Sequence, residues 1–318
     1  MNKQLIMITG ASGFIGRHTV DAARKRGHAV IAVVRRTKNI PQSWREDAGI
    51  TPVICDLAKD KSGCKLALKD VGTVIHTAAS LTGNEADHQR DTLAATQTVL
   101  SGIKENTTPI HLVLASSISV YDTMSVNEGG TVDEMTKIET NPAKRDDYCR
   151  AKLAQEALCK EAVLDKLSIL RIGAVFGRER VWNDHIGVGV GPVLLRIGSK
   201  GEIPLCYVKH CAMALVMAAE KPVSMLNIVD DDLPDRKEFI AVLRQTGWPK
   251  FTLPISWKIF DTVALLLSPI PVRMPGLLRR AVLHARMKPL KYSNEKLHKE
   301  LDWRAQYNFV QAMKEATK

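Results

Sequence analysis

None of the six cysteines (Cys55, Cys64, Cys149, Cys159, Cys206 and Cys211) belongs to a C-x-x-C pair, and none stands beside a matching pair of histidines. This removes the common zinc and redox motifs and leaves the cysteines as small apolar side chains in a reducing compartment. No metal site is expected. Aromatic residues make up only 5% of the chain, and the 45 Lys and Arg against 34 Asp and Glu are scattered rather than clustered. Without a stacking platform or zinc-finger spacing, no nucleic-acid partner is expected. No charged-then-apolar leader precedes the first strand-like run, so the expected location is cytoplasmic. Internal repeats and low-complexity tracts are also missing. The most apolar stretch, residues 254–270, contains Lys258 and Asp261 and is too short and too charged to cross a bilayer.

What is present has globular proportions: 318 residues, 45% hydrophobic and 25% charged, enough for one large domain with a smaller lobe attached. The net charge of +11 favours anionic partners, whether a phosphorylated cofactor, a phosphorylated or nucleotide-linked small-molecule substrate, or an anionic membrane face.

Residues 9–16 read Thr-Gly-Ala-Ser-Gly-Phe-Ile-Gly. An apolar strand-like run, residues 5–8, precedes them, and apolar residues at helical spacing follow through Arg26. In such a strand–loop–helix unit Gly10 permits the tight turn, Gly13 lets backbone approach a pyrophosphate and Gly16 lets helix pack on strand. Free amide N–H groups at the helix start then face an anion. With Ser12, Phe14 and Ile15 these glycines form the expected dinucleotide-binding loop.

A second apolar strand, residues 29–34, ends in Arg35-Arg36, where a dinucleotide fold contacts the adenosine ribose. No acid stands there to accept from a ribose 2′-hydroxyl, and a guanidinium can chelate a 2′-phosphate, so NADP is expected over NAD. A third strand, residues 51–55, closes on Asp56-Leu57, which can face the adenine, although capping a turn is an equal role for Asp56. A fourth, residues 73–76, runs into Thr77-Ala78-Ala79, whose small side chains permit close approach of the dinucleotide. His76 reads as a packed residue. A long helix is expected over residues 85–104. The fifth strand, residues 110–115, delivers Ser116-Ser117-Ile118-Ser119, and Tyr148-Cys149-Arg150-Ala151-Lys152 follows at the start of a helix expected to reach Leu164. Tyr148 and Lys152, four apart, share one helical face, so the ammonium can lie beneath the phenol and favour its ionised form. That makes Tyr148 a usable acid or base.

Together these residues resemble the short-chain dehydrogenase/reductase superfamily, in its extended class of epimerases, dehydratases and hydroxysteroid- or flavonol-type reductases. The resemblance rests on Gly10, Gly13 and Gly16, on His76-Thr77-Ala78-Ala79, on Ser117 with Ser116 as its neighbour, and on the Tyr148/Lys152 pair. It implies that Ser117 hydrogen-bonds the reacting oxygen, Tyr148 transfers the proton, and Lys152 tunes Tyr148 and holds the nicotinamide ribose. Residues 171–177, Arg-Ile-Gly-Ala-Val-Phe-Gly, resemble a family segment in which a proline often stands where this chain has Ile172, a residue expected to line the cofactor. The family's dehydratases carry an acid beside the strand-end hydroxyl, and residues 116–119 have none. The expected activity is therefore NADP-dependent hydride transfer at a ketone or secondary alcohol. A nucleotide-sugar epimerase is the alternative, and a non-catalytic NADP-binding sensor ranks last.

The expected fold is α/β: a doubly wound Rossmann sheet over residues 1–172 and 204–229, with a smaller, mostly helical substrate lobe over 173–203 and 230–318. Residues 187–191 read as a loop ahead of a helix begun by Pro192. Strands are expected at 168–172, 203–208 and 225–229, all returning to the main sheet. The loop 182–191 is expected to cover the substrate, with a plain surface loop as a nearly equal reading, and His185 is a candidate substrate contact within it. Residues 254–288, apolar and then rich in arginine, read first as a helix lining the pocket and second as an interfacial helix on anionic lipid. A homodimer is left open.

Overall fold

The computed structural model describes residues 3–162, 166–267 and 276–318. In chain order the strands are β1 (Leu5–Thr9), β2 (Ala29–Val34), β3 (Ile50–Ile54), β4 (Thr73–His76), β5 (His111–Ser117), β6 (Thr131–Val132), β7 (Leu167–Ile172), β8 (Ala174–Phe176), β9 (Gly187–Val190), β10 (Val193–Ile197), β11 (Leu205–Tyr207), β12 (Met225–Ile228), β13 (Phe251–Ile255) and β14 (Lys291–Tyr292). Seven of them form one parallel sheet in the order β3-β2-β1-β4-β5-β7-β12. The order reverses between β1 and β4, which opens a crevice at their carboxyl ends, where α/β sheets of this kind bind ligands.

The central strands are apolar on both sides because helices cover both faces. Along β1, Ile6 and Ile8 point into a core shared with the helices Phe14–Lys25 and Val208–Glu220, whereas Met7 points into the opposite core with Lys61–Ala67 and Ala95–Lys104. All seven residues of β5 are buried, so the chain emerges from the middle of the sheet directly at Ser117. The expected helix over 85–104 is present as Glu85–His88, a π-helical stretch Gln89–Ala94, and Ala95–Lys104. The helix bearing Tyr148 runs Asp147–Glu161, and its expected reach to Leu164 lies outside the described residues.

Two expectations about the second half of the chain are corrected. Pro192 begins no helix: it lies in the turn of an antiparallel β9–β10 hairpin, with Gly191 at φ +56°. The alternating Gly-Val-Gly-Val of β9 and the branched residues of β10 suit a pleated strand better than a helix. The stretch 203–208 does not rejoin the main sheet either; β11 pairs with β8 in a separate two-stranded sheet, and of the later strands only β12 returns, beside β7. The lobe thus carries a three-stranded sheet, β13-β10-β9, besides its helices, while β6 pairs with β14. Among the described residues no helix is long and apolar enough to cross a membrane.

Candidate active site

The glycine loop closes tightly at the end of β1. A Cβ on Gly16 would stand 2.1 Å from the Gly10 carbonyl oxygen, and one on Gly10, at φ +62°, would stand 2.9 Å from the Ala78 backbone. Only glycine lets these three backbones meet. Gly13 is exposed at the N-cap of the helix Phe14–Lys25, whose first turn holds no acid, so its free N–H groups present a positive end to the crevice. Ser12 and Ile15 are partly buried in this turn. The Phe14 ring lies under the guanidinium groups of Arg17 and Arg180. Across the crevice Thr77 Oγ1 donates to the Thr9 carbonyl at 2.7 Å, and Ala79 follows on the same loop, partly open. A pyrophosphate-bearing dinucleotide fits this cradle: small residues line it and unpaired donors face it.

Farther along the edge, Asp56 Oδ1 accepts from Ala58 N at 3.2 Å, the turn-capping role, and Leu57 is buried. Arg35 and Arg36 are exposed at the end of β2. Arg35 reaches Asp91 at 3.1 Å, a carboxylate that Arg90 also holds at 2.9 Å. Ile172 is buried at the end of β7.

Ser117 ends β5, and the Tyr148 helix is brought against it by its N-terminal turn. Asp146 caps that helix by accepting from Cys149 N at 2.9 Å, and the preceding Arg145 donates to the carbonyls of Ser119 and Tyr121. Ser117 Oγ accepts from Ser119 N at 3.2 Å; burial pushes the pKa of the neighbouring Tyr148 phenol up to about 12, and the nearby Ser117 side chain opposes that rise. The neighbouring Ser116 alternates to the other side of β5 and donates to Glu156 at 2.6 Å, which excludes it from the site. His88 lies beside Tyr148, ring centroids 6.4 Å apart, and is buried with Nδ1 unpaired.

Lys152 occupies the expected face of the helix but not the expected contact. Its ammonium donates to the Ala115 carbonyl at 2.7 Å and to Gln155 Oε1 at 2.9 Å, so here it does not lower the phenol's pKa. Burial pulls the pKa of Lys152 itself down to about 8. Beyond it runs a chain that no local pattern announces. Gln155 Nε2 donates to Thr96 Oγ1 at 2.8 Å, Thr96 donates to the Thr92 carbonyl, and His76 bridges Thr96 and Thr9 at 3.0 and 2.7 Å. Thr96 has lone pairs for both Gln155 and His76, so the network is satisfied with His76 protonated on Nε2 and accepting from Thr9 on Nδ1. Burial, aided by the Lys152 charge, takes the His76 pKa down to about 3, so it stays neutral and structural.

Of the remaining expected positions, His185 donates from Nδ1 to Asn183 Oδ1 at 2.7 Å, and burial takes its pKa down to about 3. The six cysteines are buried and free. The basic residues of 279–288 turn inward: Arg279 donates to the Arg145 carbonyl, Arg280 pairs with Asp261, Arg286 with Asp146 and Asp184, and Lys288 donates to the carbonyls of Thr123 and Met124. Arg273 lies outside the described residues. Arg145, Glu156 and Arg171 support the site without a motif of their own in the sequence. The only sequence signal was the four-residue spacing that continues Tyr148, Lys152, Glu156 along one helical face.

A glycine cradle at the switch point, with Ser117 and Tyr148 meeting at the end of β5, is matched by a family model. The NAD dependent epimerase/dehydratase family model covers residues 6–229. The chain belongs to that family. It is thus an NAD(P)-dependent enzyme of the short-chain dehydrogenase/reductase superfamily, in the extended class. Among curated proteins it is similar to a sterol-4-alpha-carboxylate 3-dehydrogenase, decarboxylating, of Dictyostelium discoideum, 24% identical over 98% of this chain and 99% of that one. It is also similar to a UDP-N-acetyl-alpha-D-glucosaminuronate decarboxylase of Bacillus cytotoxicus, 27% identical over 64% of each. Among solved structures, the UDP-glucose 4-epimerase of Thermus thermophilus in complex with NAD superposes with a TM-score of 0.70 at 19% identity, covering 98% of this chain and 97% of that one. These structures share the fold.

Proposed function

We propose that this family member is an NADP-dependent oxidoreductase that moves a hydride between the nicotinamide and a secondary alcohol or ketone. The observation that carries the cofactor preference is the end of β2, where Arg35 and Arg36 are exposed and the strand end itself contributes no acid, Asp91 reaching Arg35 from another element. Arg35 can leave Asp91 for a 2′-phosphate because Arg90 keeps that carboxylate paired. A charge-assisted guanidinium–phosphate contact is among the stronger polar contacts available. The bound nicotinamide supplies the hydride in reduction and accepts it in oxidation. Tyr148 gives its hydroxyl proton to the carbonyl oxygen in reduction and takes one back in oxidation, while Ser117 donates a hydrogen bond to the same oxygen. Lys152, released from Ala115, places its ammonium at the phenol and the ribose. The dehydrogenase relative that matches nearly the whole chain supports this reaction type.

The second reading is a nucleotide-sugar epimerase, supported by the UDP-sugar relative. Three buried or engaged arginines of the lobe, Arg236, Arg279 and Arg286, weigh against it. Buried Arg236 donates to the carbonyls of His185, Lys200 and Arg286, and Arg279 and Arg286 are engaged as described, leaving them poorly placed for a diphosphate.

Arg35→Ala with Arg36→Ala is expected to weaken NADP by roughly 1–3 kcal/mol per lost contact while leaving NAD nearly unchanged. Fluorescence titration with both dinucleotides checks this, and equal weakening of the two rejects the preference. Incubation with stoichiometric NADPH and panels of ketones and nucleotide sugars tests the reaction. Net NADPH oxidation with a ketone is the expected result; sugar inversion without it transfers the assignment to the epimerase.

A further inference from the structure

The three-stranded sheet of the lobe has an anomalous outer face. Its inner side is ordinary: Leu194 is buried, and a Cβ on Gly189 would touch Trp248 at 3.1 Å. On the outer side the register sets Val190 opposite Val193 and Val193 opposite Phe251, then Val188 opposite Leu195 and Leu195 opposite Leu253. Directly paired residues share a face, so two apolar rows stand side by side where a solvent-facing sheet alternates to polar. Their flanking members are open, Phe251 61% exposed, Val190 60%, Leu253 55% and Val188 40%, with Val193 and Leu195 half-buried between them. The chain passes from β13 into the helix Trp257–Leu267, which buries Trp257 and Ala264 and leaves Ile259, Val263 and Leu266 exposed. Those three lie at helical spacing along one outward stripe. An exposed apolar surface that extends across a sheet and a helix marks an interaction site.

The charge around this surface is predominantly positive. Residues 187–200 contain Arg196 and Lys200 and no acid; residues 250–267 contain Lys250 and Lys258 against Asp261 alone, which turns inward to Arg280 and His284. Lys200, Lys250 and Lys258 are exposed, with Lys250 hydrogen-bonded through its backbone to the hairpin turn at one end of the sheet and Lys258 in the first turn of the helix at the other. Lys258 pairs with Glu128 at 3.2 Å, and both side chains are open to water.

We propose that this face, rather than the arginine-rich segment 279–288, seats the enzyme on an anionic lipid surface, with the valines, Phe251, Leu253 and the helix stripe at the acyl boundary and the lysines among the headgroups. An apolar face rimmed by cations is the chemistry of interfacial binding. A second copy is a poorer occupant, because stacking two such faces brings lysine rims together. The inference does not depend on the cofactor or reaction reading, since its test reads vesicle binding and not turnover.

The full chain is sedimented with phosphatidylcholine vesicles with and without phosphatidylserine. The expected result is binding to the phosphatidylserine vesicles that weakens with salt, and partitioning reduced about tenfold or more by Phe251→Ser with Leu253→Ser. Both side chains are exposed, so NADP(H) binding and circular dichroism should match the parent; Ile259→Ser with Leu266→Ser repeats the test on a separate element should the first variant misfold. Lys250→Glu with Lys258→Glu should abolish the preference for phosphatidylserine. Failure to sediment at low salt overturns the proposal, as does binding unaffected by either serine pair. A dimer in sedimentation velocity that the serine variants dissociate, without vesicle binding, overturns it in favour of a second copy.

Discussion

Tyr148→Phe is expected to lower turnover by roughly 10²- to 10⁴-fold with dinucleotide affinity close to that of the parent, the range for loss of a positioned general acid or base. The substitution keeps the ring packed near His88 and removes only the hydroxyl that meets Ser117. The phenol sits at about 12 in the absence of any contact from Lys152, so near neutrality it is a protonated donor, ready for the reductive direction. For oxidation it must lose that proton, which requires the ammonium of Lys152 to come to it from the Ala115 carbonyl. Lys152→Ala therefore damages oxidation more than reduction at neutral pH and weakens dinucleotide binding as well. Steady-state rates in both directions, with fluorescence titration of the dinucleotide, measure this. Turnover of Tyr148→Phe within tenfold of the parent removes Tyr148 from the proton-transfer role.

The parts of this site that could be read from sequence are those fixed by short spacings. Gly10, Gly13 and Gly16 announce themselves because their chemistry is backbone chemistry, confined to one turn. Tyr148 and Lys152 do so because a helix places residues four apart on one side. What could not be read depends on contacts between distant segments. Ser116 and Ser117 are adjacent and chemically identical, and only the pleat of β5, together with Glu156 arriving from forty residues away, decides which one faces the cleft. The Lys152 ammonium has its partners at Ala115 and Gln155, and the chain continues to Thr96, His76 and Thr9 on three other elements. Residues 187–197 misled for a different reason. Their glycines and Pro192 carry the punctuation of a loop, while the fold pairs β9 with β10 across that turn and gives β10 its second partner, β13, more than fifty residues later. In the same way the arginines of 279–288 suggested a charged surface, and the fold uses them to tie the lobe to the start of the Tyr148 helix.

Arg171→Met is expected to destabilise the protein toward about 3–5 kcal/mol, the range for removing one partner of a buried ion pair, with Lys160 and Ser116 left as the remaining contacts of Glu156. Arg171 and Glu156 are joined by two hydrogen bonds, at 2.8 and 3.0 Å, with side chains only 1% and 3% exposed. The guanidinium also lies 4.7 Å from the centre of the Tyr121 ring, whose hydroxyl donates to Asn227 on β12 at 2.7 Å. The pair therefore connects β7, the Tyr148 helix and the loop after Ser117 below the reacting centre. Burial alone would raise the Glu156 pKa, but the hydrogen bond and charge of Arg171, with help from Ser116 and Lys160, hold it below the ordinary glutamate value. A carboxyl depressed in the folded state contributes stability above its unfolded pKa and loses it as pH falls through the folded value. Without Arg171 the balance reverses: the buried carboxyl rises, takes a proton readily, and no longer penalises folding once protonated. The gap between Arg171→Met and the parent, measured by chemical unfolding, should thus be widest near neutrality and narrow as the pH falls through the carboxylate range. Adding Glu156→Gln to Arg171→Met should recover part of the loss at neutral pH, because the uncompensated charge is gone. A loss independent of pH and unrelieved by Glu156→Gln would assign the effect to the packing of the arginine on Tyr121 instead of to the ion pair.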